Sequence, residues 1–450
     1  MINRIFLSAM CFWLAASSAA AQDATLQAQV SPVLLDAQTL YEDFHRHPEL
    51  SSHETRTAAL LAERLRTLGY EVTEHVGGTG VVGILKNGPG PTVMLRTELD
   101  ALPVEEQTGL PYASKVRVKD DSGREVGVMH ACGHDVHMAA LWGAASIMAR
   151  TRDTWHGTLM LIGQPAEETV HGADGMISDG LFTRFPKPDV GVALHDTNSL
   201  PAGTVGITPE YSLANADSVR ITVYGRGGHG SAPATAIDPI VIASSIVVRL
   251  QSVVAREIPA GEAAVITVGY FQAGTKNNII PDQAQLGLTV RSYKPEVRKH
   301  LLAAIERIAK AEAQAGGAEK MPLVEHYEST SAMYNDPALA RYLVPVLEAT
   351  VGKSNVAILP PAMASDDFSA FVEQGVPSFF FALGAADPEK LKQARAAGKS
   401  LPSNHSPLFA PVEEPTLSTG IAAEVAVLRQ LLRGTPADVS KFTEHKSGSR

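Results

Sequence analysis

Between Asp217 and Glu328 the hydrophobic rhythm of the chain changes, and that change limits the fold more than any other feature. The segment 219–224 reads as a strand, 239–256 as a helix, 263–271 and 284–293 as strands, 298–313 as a helix and 322–327 as a closing strand. The order β-α-β-β-α-β is that of a split βαβ, ferredoxin-like unit, which completes its own core in about 115 residues. Such a unit is too large to be a loop, so it is expected to be a domain inserted into a larger one.

On both sides of it, short apolar runs alternate with helical patterns. Strands are expected at 81–85, 92–95, 158–162 and 190–194, and helices at 136–149 and 172–181. The pattern resumes with a helix at 337–349, a strand at 378–383 and a helix at 414–432. Ala58, Leu61, Ala62, Leu65 and Leu68 recur at helical spacing and mark 34–68 as helical, broken near His47-Pro48. This is the α/β signature: a central sheet flanked by helices. The larger domain is expected in two pieces, 32–215 and 330–433, around the insert at 216–329. With 45% hydrophobic and 19% charged residues, the chain of 450 has ample material for two cores.

The two ends read differently. Residues 1–21 resemble a secretory signal: Arg4, a mostly apolar stretch, then Ala19-Ala20-Ala21 before Gln22. The expectation is cleavage near Ala21 and a periplasmic or secreted protein with no membrane association afterwards; a retained N-terminal anchor is the alternative. Residues 22–30 read as a polar lead-in and 434–450 as a mobile polar tail. Net charge is −10 and no Lys/Arg stripe stands out, which argues against a nucleic-acid partner. The two cysteines are Cys11 and Cys132, so cleavage would leave Cys132 as a lone thiol that is either buried and inert or bound to something.

That thiol stands in Met129-His130-Ala131-Cys132-Gly133-His134-Asp135-Val136-His137, just before an expected helix. Cys132 and His134 are two apart, so in an extended segment both can face the same way, and thiolate with imidazole suits zinc or another borderline metal. The pair Glu167-Glu168 follows an apolar strand into the expected crevice of the sheet, where one carboxylate can bind metal and the other hold a water. A solvated acidic pair is the plainer alternative. His195 ends another strand, where a histidine taken alone is more often a satisfied core residue, and His405 lies in a late loop, which taken alone is weak evidence. One thiolate, three imidazoles and a carboxylate suffice for two metals if one ligand bridges. Glu167 remains as a free base, and the constellation suits hydrolysis of an amide.

Further motifs carry a resemblance. Tyr41-Glu42-Asp43-Phe44-His45-Arg46-His47-Pro48-Glu49-Leu50, Gly78-Thr79-Gly80-Val81-Val82-Gly83, Leu99-Asp100-Ala101-Leu102-Pro103, the Cys132 motif, Glu167-Glu168, Gly228-His229-Gly230-Ser231-Ala232-Pro233, Asn278-Ile279-Ile280-Pro281 and His405-Ser406-Pro407 span nearly the whole chain. Together they resemble the dinuclear metallopeptidases that include glutamate carboxypeptidase and aminoacylases. The branch they resemble most holds hippurate hydrolase, N-acyl-amino-acid amidohydrolases and plant indole-acetyl-amino-acid hydrolases.

The resemblance implies a metallopeptidase catalytic domain and an inserted lid and dimerisation domain. It implies two divalent ions per chain, zinc foremost, with manganese, cobalt or nickel as alternatives. Cys132 would bridge them, His134 and His195 would complete one site, and Glu168 and His405 the other. Glu167 would be the general base. His229 would reach across a homodimer to the scissile carbonyl, and Asn278 and Arg291 would hold the substrate's carboxylate. Without that context Arg291 reads as a surface salt bridge. The expected substrate is an N-acyl amino acid or small peptide with a free carboxylate. A dipeptidase or aminopeptidase on the same fold, and a catalytically inactive binding protein, are the competing readings. One departure stands out: Arg96-Thr97-Glu98-Leu99-Asp100 carries Glu98 where the branch usually has aspartate.

Overall fold

The computed structural model describes residues 5–435 and Phe442, with side chains from Leu26 onward. By contacts the chain divides into two compact units. The larger unit is built on an eight-stranded sheet. Its order is Glu71–Glu74, Val81–Asn87, Gly157–Gln164, Thr92–Glu98, Val190–Pro201, Ser378–Ala386, Val205–Ile207 and Val356–Ile358. The four strands from Gly157–Gln164 to Ser378–Ala386 run parallel, so their carboxyl ends lie along one edge.

Both faces of this sheet are covered, as parallel strands require. Val93, Leu95, Leu159, Leu161, Val190, Val192, Phe379 and Phe381 enter one core with the helices Ile5–Arg46, Thr55–Thr67, His134–Arg150, Pro337–Val351 and Glu413–Leu432. The alternate residues Met94, Met160 and Ile162 are buried too. The helix His134–Arg150 is apolar almost all round and is buried from His134 to Met148. A Cβ on its Gly143 would come 2.5 Å from Ile421 Cδ1, so glycine lets the helix Glu413–Leu432 approach this closely.

The smaller unit comprises Tyr211–Tyr334 and Pro361–Ala370. Its antiparallel sheet has the order Ala264–Ala273, Gln283–Ser292, Asn215–Tyr224, Leu323–Thr330. The helices Pro239–Arg256 and Pro295–Ala315 pack on one face, where Ile242, Ile246, Leu250, Leu301 and Ile305 meet Val219, Ile221, Leu286 and Leu288. The first helix starts where Asp238 accepts the N–H of Ile240 and Pro239 supplies a fixed φ.

Some expectations change. Residues 22–30 are not a lead-in but part of the helix Ile5–Arg46. The single helix expected at 172–181 is two, Gly172–Ser178 and Leu181–Arg184, parted at Gly180, whose φ is 87°. Residues 361–370, expected in the larger domain, cluster with the smaller unit. The expected cleavage point at Ala21 falls where side chains lie outside the described residues. The tail 434–450 lies outside them as well, apart from Gly434, Thr435 and Phe442; Phe442 is buried, with its ring centroid 5.8 Å from that of Tyr342.

Candidate metal centre and active site

The turn before the helix His134–Arg150 is set by Gly133, which caps it with φ 86°. A Cβ there would lie 2.2 Å from Asp196 Oδ1. Both the conformation and the close approach call for glycine. This places Cys132 ahead of the helix and His134 in its first turn, both buried. Thr92–Glu98 leads into Asp100, Gly157–Gln164 into Glu167 and Glu168, and Val190–Pro201 carries His195 and Asp196.

Here the candidate donors converge. Cys132 Sγ lies 3.4 Å from His195 Nε2 and 3.2 Å from His405 Nε2. His405 Nε2 is 3.5 Å from Glu168 Oε2, and His134 Nε2 is 3.8 Å from Glu167 Oε2 and 4.0 Å from Glu168 Oε1. Two groups of donors, each within 4.8 Å, share the thiol: Cys132 with His134 and His195, and Cys132 with Glu168 and His405.

Two of the imidazoles are aimed by their other nitrogen. His134 Nδ1 donates to the Asp100 carbonyl at 2.8 Å, and His195 Nδ1 to the Asp196 carbonyl at 2.9 Å, so both Nε2 atoms are left to face the thiol side. Asp100 Oδ2 accepts the Ser51 hydroxyl at 2.7 Å and the Glu168 N–H at 2.9 Å. The loop carrying His405, itself at φ 70°, is tied by His405 N–H to the Ala131 carbonyl at 2.7 Å. The Asn404 amide adds bonds to the carbonyls of Cys132 and Asp196, at 3.0 and 3.3 Å.

The electrostatics suit a cation. Burial, then the Glu168 charge, pushes the Cys132 thiol up. Burial raises Glu168 to about 7 and lowers His195 and His405. His134 Nε2 and Glu168 Oε1 are buried without a hydrogen-bond partner. Buried polar atoms in that state are costly, and a bound divalent ion would satisfy them while displacing the thiol and carboxyl protons. The set of thiolate, imidazoles and carboxylates therefore fits a metal centre.

Behind the donors, Glu98 is fully buried and pairs with Arg96, whose Nε also donates to Gln164 Oε1 at 2.9 Å. Its other oxygen meets His137 Nδ1. Glu98 therefore anchors a buried network and does not line a pocket wall. Asp100, His137, Asp196 and Asn404 had no role assigned from the sequence. Asp196 and Asn404 had only their place beside His195 and His405 as a signal.

The remaining candidates belong to the smaller unit. His229 and Asn278 are brought side by side: His229 pairs with Ile279, and the Gly230 N–H donates to the Asn278 carbonyl at 2.8 Å. The Ser231 N–H donates to His229 Nδ1 at 3.1 Å, which leaves Nε2–H as the ring's free donor direction. Arg291 lies elsewhere on that unit's sheet. Its guanidinium is half-buried and donates to the hydroxyls of Ser365 at 2.8 Å and Thr289 at 3.4 Å. Among the described residues no carboxylate hydrogen-bonds it, so it is not the salt bridge that its strand position alone suggested.

The chain is similar to known proteins over most of its length. The model of peptidase family M20/M25/M40 matches residues 94–399. Hippurate hydrolase from Campylobacter jejuni is 39% identical over 78% of this chain and 89% of its own length. Thermostable carboxypeptidase 1 from Saccharolobus solfataricus is 37% identical over 84% of this chain and 91% of its own. The crystal structure of a dinuclear metal-binding M20 peptidase from Bacillus subtilis superposes with a TM-score of 0.70 at 28% identity, covering 88% of this chain and 98% of that one. A match of this extent, on a chain that gathers thiol, imidazole and carboxylate donors at the carboxyl edge of its sheet, places the protein in peptidase family M20/M25/M40, as a hydrolase of amide or peptide bonds.

Proposed function

We propose that the protein is an exported, dinuclear-metal amidohydrolase of N-acyl amino acids or short peptides with a free carboxylate. The observation that carries this reading is the shared thiol: Cys132 belongs to both donor groups, one with His134 and His195, the other with Glu168 and His405. Zinc is the ion this mixture of donors suits best, and Cys132 would serve both ions. Two such ions, when bound, would supply Lewis acidity for the scissile carbonyl and activate water near neutral pH.

The chain's own residues do the rest. Glu167 takes a proton from the attacking water and delivers it to the leaving amine. His229, with Nδ1 engaged by Ser231, presents Nε2–H to the carbonyl oxygen of a substrate held by a second copy of the chain. Arg291, whose hydrogen bonds go only to hydroxyls among the described residues, offers its fork to the substrate carboxylate, and Asn278 offers its amide to the same group. The names of the relatives, hippurate hydrolase and carboxypeptidase, point to the same substrate class. The smaller unit serves as lid and dimer surface, and residues 1–21 direct export.

The test is the purified, metal-loaded protein against N-acyl amino acids, their amides and unblocked dipeptides, beside Glu167→Gln. Turnover of the N-acyl amino acids that falls about 10²–10⁴-fold in Glu167→Gln, with metal content unchanged, supports the reading. Turnover of none of these substrates, or of the amides as fast as the free acids, would reject it.

A further inference from the structure

Glu54 is fully buried at the entrance to the helix Thr55–Thr67, 112 residues from the loop it serves. It binds no candidate ligand. Its Oε1 accepts the backbone N–H of Ala166 at 2.8 Å and that of Ser52 at 2.7 Å. Its Oε2 accepts the Thr79 hydroxyl at 2.5 Å.

Ala166 precedes Glu167, and its φ is 50°, a left-handed conformation that a side chain normally avoids. Something must hold it there. The Ala166 carbonyl accepts the N–H groups of His171 and Gly172 at 3.3 and 3.2 Å, which closes the loop on itself. Closure alone does not fix the loop against the sheet. Two buried carboxylates do: Glu54 takes the N–H just before Glu167, and Asp100 takes the N–H just after it, on Glu168, at 2.9 Å.

We infer that Glu54 is a positioning residue for Glu167: Ala166 N–H and Glu168 N–H, anchored to Glu54 and Asp100, fix the backbone that aims the Glu167 carboxylate. The two anchors divide the work. The Asp100 carbonyl also accepts from His134 and so aims a donor, whereas Glu54 bonds no candidate donor and meets this loop only at the backbone leading into the base. The inference rests on the reading of Glu167 as general base. It separates the two anchors by what each should cost when lost: metal for Asp100, turnover for Glu54.

The experiment compares Glu54→Ala, Glu54→Gln and Thr79→Val, alone and with Glu167→Gln, measuring metal content, kcat and KM on an N-acyl amino acid. Glu54→Ala should keep metal and KM and lose about 10–100-fold in kcat, the scale of loss that misplacing a reacting group brings. Glu54→Gln should recover most of it, because an amide oxygen still accepts both N–H groups. Thr79→Val, which is nearly isosteric and leaves Glu54 itself in place, should show a smaller loss of the same kind. In the Glu167→Gln background neither Glu54→Ala nor Thr79→Val should cost anything further, since the group they aim is gone; a merely structural defect would multiply. Full kcat in both Glu54→Ala and Thr79→Val, or losses that multiply with Glu167→Gln, would overturn the positioning role. Wild-type turnover in Glu167→Gln alone would instead overturn the assignment of the base.

Discussion

His137 Nδ1 lies 2.9 Å from Glu98 Oε2, deep in the interior, while His137 Nε2 takes the backbone N–H of Asp196 at 2.9 Å. Glu98 thereby reaches the metal centre at third hand, since the Asp196 carbonyl aims His195. Its extra methylene lets one carboxylate span His137 and the Arg96 guanidinium.

Glu98→Asp should break one of those two bonds. Loss of a partner that orients a ligand costs roughly 10–100-fold in metal affinity. Competition with a chelator of known affinity measures it. Glu98→Ala leaves Arg96 buried with its carboxylate removed and should destabilise the fold by about 3–5 kcal/mol, read from denaturant melts. An unchanged affinity in Glu98→Asp would mean that His195 is aimed without this chain of bonds.

The shared thiol makes an unequal prediction about stoichiometry. Cys132→Ala should remove or weaken both ions, whereas His405→Ala should spare the group of His134 and His195 and retain about one ion per chain if two are bound. Elemental analysis of dialysed protein decides it. Equal content in the two variants would argue against a bridging thiol.

Stability should depend on His45. Burial opposes its charge, but Asp135 at 2.6 Å and Glu106 at 3.1 Å outweigh that and raise it to about 10. A histidine in the unfolded chain titrates near about 6.5. The folded value is the higher, so the stabilisation is complete below about pH 6.5 and is lost as pH rises toward 10. His45→Gln should therefore cost most at pH 6, about 3–5 kcal/mol for a broken buried pair, and progressively less by pH 10. Urea melts across that range test the slope; a cost independent of pH would contradict a charged His45.

Arg291→Ala should weaken substrates with a free carboxylate and spare their amides. A hydrogen bond between charged groups contributes about 1.5–3 kcal/mol, so KM should rise about 10–100-fold for the acid form alone. Ser365→Ala, which removes the hydroxyl accepting from Arg291 at 2.8 Å, should give a smaller rise with the same selectivity. Equal losses for acid and amide would place the carboxylate elsewhere.

Much of the architecture was legible because long amphipathic elements advertise themselves. The helix Pro239–Arg256 was read to the residue, since Asp238-Pro239 marks its start and its buried stripe repeats through four turns. The short strands Val205–Ile207 and Val356–Ile358, the second at the edge of the sheet, escaped notice because three residues hold no measurable period. The continuous helix Ile5–Arg46 was hidden by the polar residues 22–30, which mark one face of a helix as readily as a lead-in.

The sequence by itself determined the element order, the α/β class and a short set of residues with metal-binding chemistry, because these depend on side-chain type and on spacing within one turn or strand. Only the tertiary structure decided which of them meet. Cys132 and His405 are 273 residues apart, and their 3.2 Å separation comes from Asn404 and the Ala131 carbonyl holding a late loop against an early one. The same holds for Glu98 with His137 and for Glu54 with Ala166. Such pairings are made by strands that are neighbours in the sheet and by loops folded across its carboxyl edge, and no local pattern along the chain encodes that proximity.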